Sequence, residues 1–436
     1  MAKKKLTIEE KLQAALVPAE EQPYKVPENW CWVKFSVTYD NVSSSKNKIK
    51  QKDYQNEGKF AIVDQGENLI GGYSNNEDIV YDGELPVIIF GDHTRRIKYV
   101  DFPFIQGADG VKVLQPKNYI VPRYYFFGLQ SMQIPHMGYR RHFPILNKMG
   151  FPIAPIAEQS RIVARIESLF AKLDEAKEKI QEVLDGADLR RATILHQAFT
   201  GKLTEKWRKE NSVDDKSWEF TSLGNICYIN PKKIDTTNLD DNMKVSFIPM
   251  ADVSDISGEV IGNQTRPLGE VKKGFTNFNE GDVVFAKITP CMENGKSAII
   301  GKLKNNVGYG TTEFYVLRPK ETLYNRYVYH LVRSKFFRDK AKSNMTGAVG
   351  QQRVPKKFMQ EYEINLPSMP EQQEIVRLLD NLLSREQSTV TACEEALTTI
   401  DTLKKSILAR AFRGELGTND PTDPSAQKLL WEILSA

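Results

Sequence analysis

The chain has 436 residues, of which 40% are hydrophobic and 27% charged, with a formal net charge of +4. That length suits two or three domains, and that balance suits a soluble globular protein. It contains no run of eighteen apolar residues, which argues against a membrane-spanning helix. A charge so near neutral means that any nucleic-acid surface must gather its basic residues locally.

Cys31, Cys227, Cys291 and Cys393 are scattered, form no C-x-x-C pair and lie far in sequence from the histidines. We therefore expect neither a zinc site nor a disulfide framework, and a reducing cytoplasm.

Residues 1–22, "MAKKKLTIEEKLQAALVPAEEQ", read as a short amphipathic helix, because they hold no apolar core and no small-residue cleavage site. Residues 23–155 carry the β-rich runs "KFAIVDQ", "LPVIIFGD" and "YVDFPFI", and then a helical stretch, "RYYFFGLQS". Residues 156–203 read as one long helix and 204–217 as a linker. Residues 218–369 repeat the mixed character with "VSFIPMADV", "DVVFAKI", "TEFYVLRP" and "RYVYHLVRS". A second long helix follows over 370–413, and a tail with a short helix over 414–436. The expected class is α+β: two similar domains separated by two long helices.

The chain repeats itself. "AEQSRIVARIESLF" is answered by "PEQQEIVRLLDNLL", and "ILHQAFTGKL" by "ILARAFRGEL", at one ungapped offset of 213 residues. At an offset of 203, "GADGVKVLQP" matches "GTTEFYVLRP", Arg123 matches Arg326 and Ser131 matches Ser334. Gly201 and Gly414 fit left-handed helix ends. Apolar residues step by four and three through Ile162, Ile166, Leu169, Leu173 and Ile180 in the first helix. Ile375, Leu379, Leu382, Ile400 and Leu403 do so in the second, with a polar middle at Glu386 and Thr389. These are heptad seams, and two matched seams in one chain are expected to pack on each other. Gly186 interrupts the first without shifting its phase, so one bent helix is expected. About forty residues at 1.5 Å each make a rod of roughly 60 Å.

The loops differ between the two domains, and loops on a shared scaffold are where recognition is placed. "SSSKNKIKQK" offers Lys46, Lys48 and Lys50 for phosphates; its plain alternative is a solvated loop. "FGDHTRRIKYVDFPF" places His93, Thr94, Arg95 and Arg96 in one turn, where arginine can read guanine. "GYRRHF", with Tyr139, Arg140, Arg141 and His142, stands where the second domain has "NMTGAVGQQRV", with Thr346, Gln351, Gln352 and Arg353. Both suit a groove-facing loop or a simple turn. "KITPCMENGKS" offers Lys287, Thr289, Asn294 and Lys296. It is no phosphate-binding loop, because Pro290 stands where that motif needs glycine. "INPKK" lacks the second proline and the aromatic residue of an adenine methyltransferase motif, and no glycine-rich cofactor loop follows a strand. A stand-alone methyltransferase or nuclease is thus the weaker alternative.

These paired segments, with "IVDQGENLIGGYSN" (which holds Gln65) and "PENWCWVKF", resemble the specificity subunits of Type I restriction–modification enzymes over nearly the whole chain. The resemblance implies a non-catalytic DNA-recognition subunit with a pseudo-twofold repeat. Each target-recognition domain would read half of a bipartite, asymmetric double-stranded DNA target. The helices would pack as an antiparallel coiled coil that sets the gap between half-sites. Two modification subunits would dock there, and restriction and motor subunits would join. S-adenosylmethionine, ATP and Mg would sit on those partners, with no cofactor or metal in this chain.

Overall fold

The computed structural model describes residues 7–138, 140–214, 216–262, 264–348 and 350–435. The chain divides into two compact units, residues 1–180 with 395–436 and residues 181–394.

In the first unit, Tyr39–Asn41, Val111–Pro116, Val87–Gly91 and Ile97–Val100 form an antiparallel sheet in that order. A second sheet has the order Gly72–Ser74, Phe60–Val63, Phe104–Gln106, its last pair parallel. Cys31–Lys34 pairs with Gly150–Ile153 as a separate antiparallel ribbon. Val87–Gly91 is buried throughout, which explains its unbroken apolar run. The core gathers Phe35, Phe90, Tyr124, Tyr125 and Phe151 with Ile162, Ile166, Leu408 and Phe412. The helix Ile8–Ala15 starts at a capping box, where Thr7 and Glu10 satisfy each other's backbone amides. Its Leu12 and Ala15 enter the same core as Ala426 and Leu430 of the helix Ala426–Ser435.

The second unit reproduces this topology. Cys227–Ile229, Phe314–Pro319, Val283–Ala286 and Ser297–Ile299 form the antiparallel sheet. Gln264–Pro267, Lys244–Ile248 and Gly308–Gly310 form the other, again with a parallel last pair, and Thr276–Phe278 is added at its edge. Glu219–Ser222 pairs with Glu363–Leu366 as the ribbon.

The expected single first helix is two, Ile156–Asp185 and Ala187–Phe199, parted at Gly186. Gly186 has φ −80° and ψ −8°, still right-handed, and Gly186 N to Glu182 O (3.2 Å) and Arg190 N to Gly186 O (3.0 Å) bridge the interruption. The second helix is continuous over Met369–Ala411. Gly201 and Gly414 carry φ of 77° and 75°, the left-handed region expected just past helix ends.

Ile162, Ile166, Ile375, Leu379 and Ile400 are buried, and Leu169, Leu173, Ile180 and Leu382 are half-buried. Leu403 is a correction: it is 44% exposed, and its neighbour Lys404 turns inward instead. Val183, the next position by the same step after Ile180, is likewise exposed, with Leu184 half-buried in its place. The cause is the helical period. A straight helix turns every 3.6 residues, so a strict seven-residue reading drifts by about 20° per heptad. After several heptads the buried position has moved one residue on. Lys404 Nζ pairs with Asp174 and lies 5.1 Å from the centre of the Phe170 ring. The polar middle of the second helix has its own solution. Glu386, with its side chain 10% exposed, accepts from Arg190 Nε and Nη2 at 2.9–3.2 Å, and Arg191 Nη2 donates to Gln387 at 2.7 Å.

The repeated Glu-Gln pair is fully buried in both copies. Gln159 Nε2 donates to Tyr119 O (3.1 Å) and Ala154 O (2.9 Å), and its Oε1 accepts from Val121 N (2.8 Å). Gln372 Nε2 donates to Thr322 O and Pro367 O (both 2.9 Å), and its Oε1 accepts from Tyr324 N (2.8 Å). Glu158 accepts from Trp30 Nε1 at 2.7 Å and Asn419 Nδ2 at 2.8 Å. Glu371 accepts from Thr204 Oγ1 and Arg208 Nη1, both at 2.7 Å. A surface pair repeats as well: Arg123–Glu167 at 2.9 Å and Arg326–Asp380 at 2.7 Å.

Candidate nucleic-acid interface

In the first unit, the loops after the strands gather at one end. Residues 43–50 are held in place, not loosely solvated: Gln106 Oε1 accepts from Ser44 N at 2.9 Å, and Ser44 Oγ accepts from Asn47 N at 2.7 Å. This projects Lys46, Lys48 and Lys50 into solvent. Lys48 reaches Asp109 at 3.0 Å. Lys48 and Arg141 line one concave cavity of about 470 Å³, together with Lys112 and Gln106. Sequence reasoning missed Lys112. The alternation in "VKVLQP" held the signal, since buried Val111 and Val113 leave Lys112 on the other face.

Gln65 is a brace between loops. Its Nε2 donates to Asp109 O at 2.9 Å, its Oε1 accepts from His93 N at 3.2 Å, and its carbonyl accepts from Thr94 Oγ1 at 2.7 Å. Arg95 sits at φ 60° and spends Nη1 on Ile134 O at 2.9 Å, so it is half-buried and ties the turn down. Arg96 is exposed and pairs with Glu67 at 3.0 Å. Arg140 and Arg141 are exposed, and Tyr139 lies outside the described residues.

His142 is a correction. It is fully buried, so it has nothing to offer DNA. Its Nε2 accepts from Met137 N at 3.2 Å. That fixes Nδ1 as the protonated nitrogen, donating to Asp92 O at 2.9 Å. The histidine therefore organises the loop instead of displaying a side chain.

In the second unit, Thr289, Thr346, Gln352 and Arg353 come together, while Asn294 and Lys296 are not brought to them. Bridges join Ile288 and Thr346 to Arg353, and Thr289 N donates to Gln352 O at 3.1 Å. The 289–296 segment closes the hairpin between Val283–Ala286 and Ser297–Ile299, with Asn294 exposed. Lys296 is half-buried, its Nζ donating to Met250 O at 3.2 Å. Lys287 lies 5.5 Å from the centre of the Tyr315 ring. Thr289 Oγ1 is buried without a hydrogen-bond partner among the described residues. Thr346 and Gln351 are exposed and Gln352 is half-buried.

Arg353 is exposed yet fixed. Its Nε and Nη2 grip the Glu313 carboxylate at 2.8–3.2 Å, and Nη1 donates to Gln351 O at 3.2 Å. That guanidinium holds the Glu313 carboxyl below the usual carboxylate range. Sequence reasoning missed Glu313, whose only signal was the "GTTEFYVLRP" match, which sets it opposite Gly110.

Among the described residues no group of three or more His, Cys, Asp or Glu side chains is placed to hold a metal ion, and no helix is long and apolar enough to cross a membrane. What the loops present is basic and amide side chains on braced backbone, the chemistry of phosphate and base-edge contact.

Comparison with known proteins agrees with that chemistry. The profile of the Type I restriction modification DNA specificity domain matches twice, over residues 37–185 and 215–395. The chain belongs to this family. It is 35% identical over 260 residues to the Type I restriction enzyme EcoEI specificity subunit of Escherichia coli, covering 50% of this chain and 43% of that protein. It is 33% identical over 308 residues to the EcoAI specificity subunit of the same species, covering 60% and 51%. The chain thus spans about half the length of these relatives. The fold is shared with the HsdS subunit of Thermoanaerobacter tengcongensis, with a TM-score of 0.57 and 19% identity over 91% of this chain and 100% of that one. A chain from a structure of Type I R-M complex assembly and conformational transition gives a TM-score of 0.62 at 18% identity, covering 90% and 100%.

Proposed function

We propose that this chain is the DNA-sequence-specificity subunit of a Type I restriction–modification complex, a recognition subunit and not a catalyst. Each α+β domain reads one half of a bipartite, asymmetric double-stranded DNA target. Lysines such as Lys46, Lys48 and Lys50 hold phosphates, while arginine and amide side chains of the braced loops read bases. The helices Ile156–Asp185, Ala187–Phe199 and Met369–Ala411 act as an antiparallel coiled-coil spacer, which sets the gap and docks two modification subunits. S-adenosylmethionine, ATP and Mg belong to the modification and restriction partners, in the cytoplasm.

One observation carries this reading. The two domains keep the same strand order, with one edge strand added in the second, and the same buried Glu-Gln anchor, yet their loop sequences differ. Conserving the frame while changing the reader is what two different half-sites require. The test is sequencing with detection of methylated adenine in a host carrying this chain and its modification partner. A two-part motif with a fixed gap is expected. Methylation without any defined motif, or none that depends on this chain, defeats the proposal.

A further inference from the structure

In each unit a basic loop side chain is held by an acid from one equivalent corner. In the first it is Lys48 on Asp109; in the second, Arg353 on Glu313. The corner is the turn before Val111–Pro116 and Phe314–Pro319, two strands that occupy equivalent places in their sheets. The two pairs differ in kind. Lys48 makes a single contact to an Asp109 side chain that is 85% exposed. Arg353 is fixed in position and in plane. Its backbone exchanges hydrogen bonds with Thr346 in both directions, at 2.8 and 3.0 Å. Its guanidinium is gripped by both oxygens of Glu313 and by Gln351 O.

A guanidinium has five N–H donors. Here Nε–H, one Nη2–H and one Nη1–H are committed within the domain. Among the described residues two donors are left without a partner, one on each terminal nitrogen. Two coplanar donors are what the O6 and N7 acceptors of guanine take in the major groove. A free arginine must give up side-chain freedom to make that contact. Arg353 has given it up before DNA arrives, and preorganisation of this kind lowers the entropic cost of a bidentate contact. Arg140, which aligns with Arg353 at the offset of 213, is exposed and has no such brace among the described residues.

We propose that Glu313 is a positioning residue that presents the two remaining donors of Arg353 to a guanine in the half-site read by the second domain. This rests on the DNA-recognition reading above.

The test uses the full chain reconstituted with its modification subunits. The wild-type motif is first defined from methylated sites, and then binding is measured on the matched duplex and on every single-base variant. For Arg353→Lys and Arg353→Met we expect loss of preference at one G·C pair, by roughly tenfold or more, with the rest of the motif intact. Glu313→Gln is expected to relax that same pair and no other. Melting curves confirm folding of each variant. If Glu313→Gln instead tightens binding to all sequences alike, the carboxylate is only an electrostatic mask and the inference fails. It also fails if Glu313→Gln lowers the melting temperature alone, or if the Arg353 variants leave every position unchanged. In all three cases the DNA-recognition reading still stands. A wild-type chain without any motif overturns that reading and this inference together.

Discussion

Gln159 and Gln372, 213 positions apart, hold equivalent backbone groups of their own units with the same three hydrogen bonds. Each glutamine sits in the first turn of a long helix and binds the turn ahead of a shorter helix, Pro122–Ser131 or Asn325–Arg333. Replacing either by leucine strands a buried N–H and two carbonyls, at about 1–3 kcal/mol for each unsatisfied group. We expect Gln159→Leu and Gln372→Leu each to lose about 2–4 kcal/mol, with similar values, in urea unfolding. A large loss in one and none in the other would show that the two anchors are not equivalent.

That equivalence was legible in the sequence, because the offsets of 213 and 203 mark the glutamines and their partners alike. Which positions of the long helices are buried was legible in outline and drifted in detail, since Leu403 was placed by a seven-residue step and the helix turns every 3.6. The site was less legible. Recognition loops differ between the copies, so the repeat fixes their places and not their side chains, and residue type alone cannot separate a displayed side chain from a brace. Gln65, Arg95 and His142 look like groove-facing residues and serve the loop itself. Glu313 looks like ordinary surface and holds an arginine.

His142 gives a direct check on that distinction. Truncation to alanine removes the acceptor for Met137 N and the donor to Asp92 O inside the fold. His142→Ala should cost about 2 kcal/mol or more of stability. The base preference of the remaining folded protein should match that of the wild type. Altered preference without destabilisation would return His142 to the reading surface.

The Glu313–Arg353 pair also predicts a pH dependence. The folded-state value of Glu313 is depressed, so its contribution to stability is fully present above the ordinary carboxylate value. It is lost as pH falls through the depressed value. The difference in melting temperature between wild type and Glu313→Gln should therefore be constant from neutral pH down to the ordinary carboxylate range, and should shrink below it. A difference that grows on acidification would mean the carboxyl is protonated in the pair.

Gly186 tests the break in the first helix. Glycine costs about 1 kcal/mol relative to alanine inside a helix, and φ of −80° suits alanine. An added Cβ would lie 2.6 Å from Arg190 Nη1, the far end of a flexible side chain that also grips Glu386. Gly186→Ala should therefore stabilise by less than about 1 kcal/mol, because the arginine must shift. A full gain would mean that the Arg190–Glu386 pair adapts freely, and a loss that the break is required. Hydrogen exchange across residues 183–190 reports which holds.

The spacer makes the strongest demand on the proposed function. If Ile156–Asp185 and Met369–Ala411 set the separation of the half-sites, whole turns added to both lengthen it, at 1.5 Å of rise per residue. Seven residues restore the facing of the seams closely enough to keep Lys404 opposite Asp174 and Arg190 opposite Glu386. Seven residues inserted in both helices should therefore lengthen the unspecified gap in the methylated motif and leave both half-sites unchanged. Insertion in one helix alone should abolish methylation, because the seams then fall out of register. An unchanged gap after the double insertion would remove the ruler from the mechanism and leave the helices as docking surface alone.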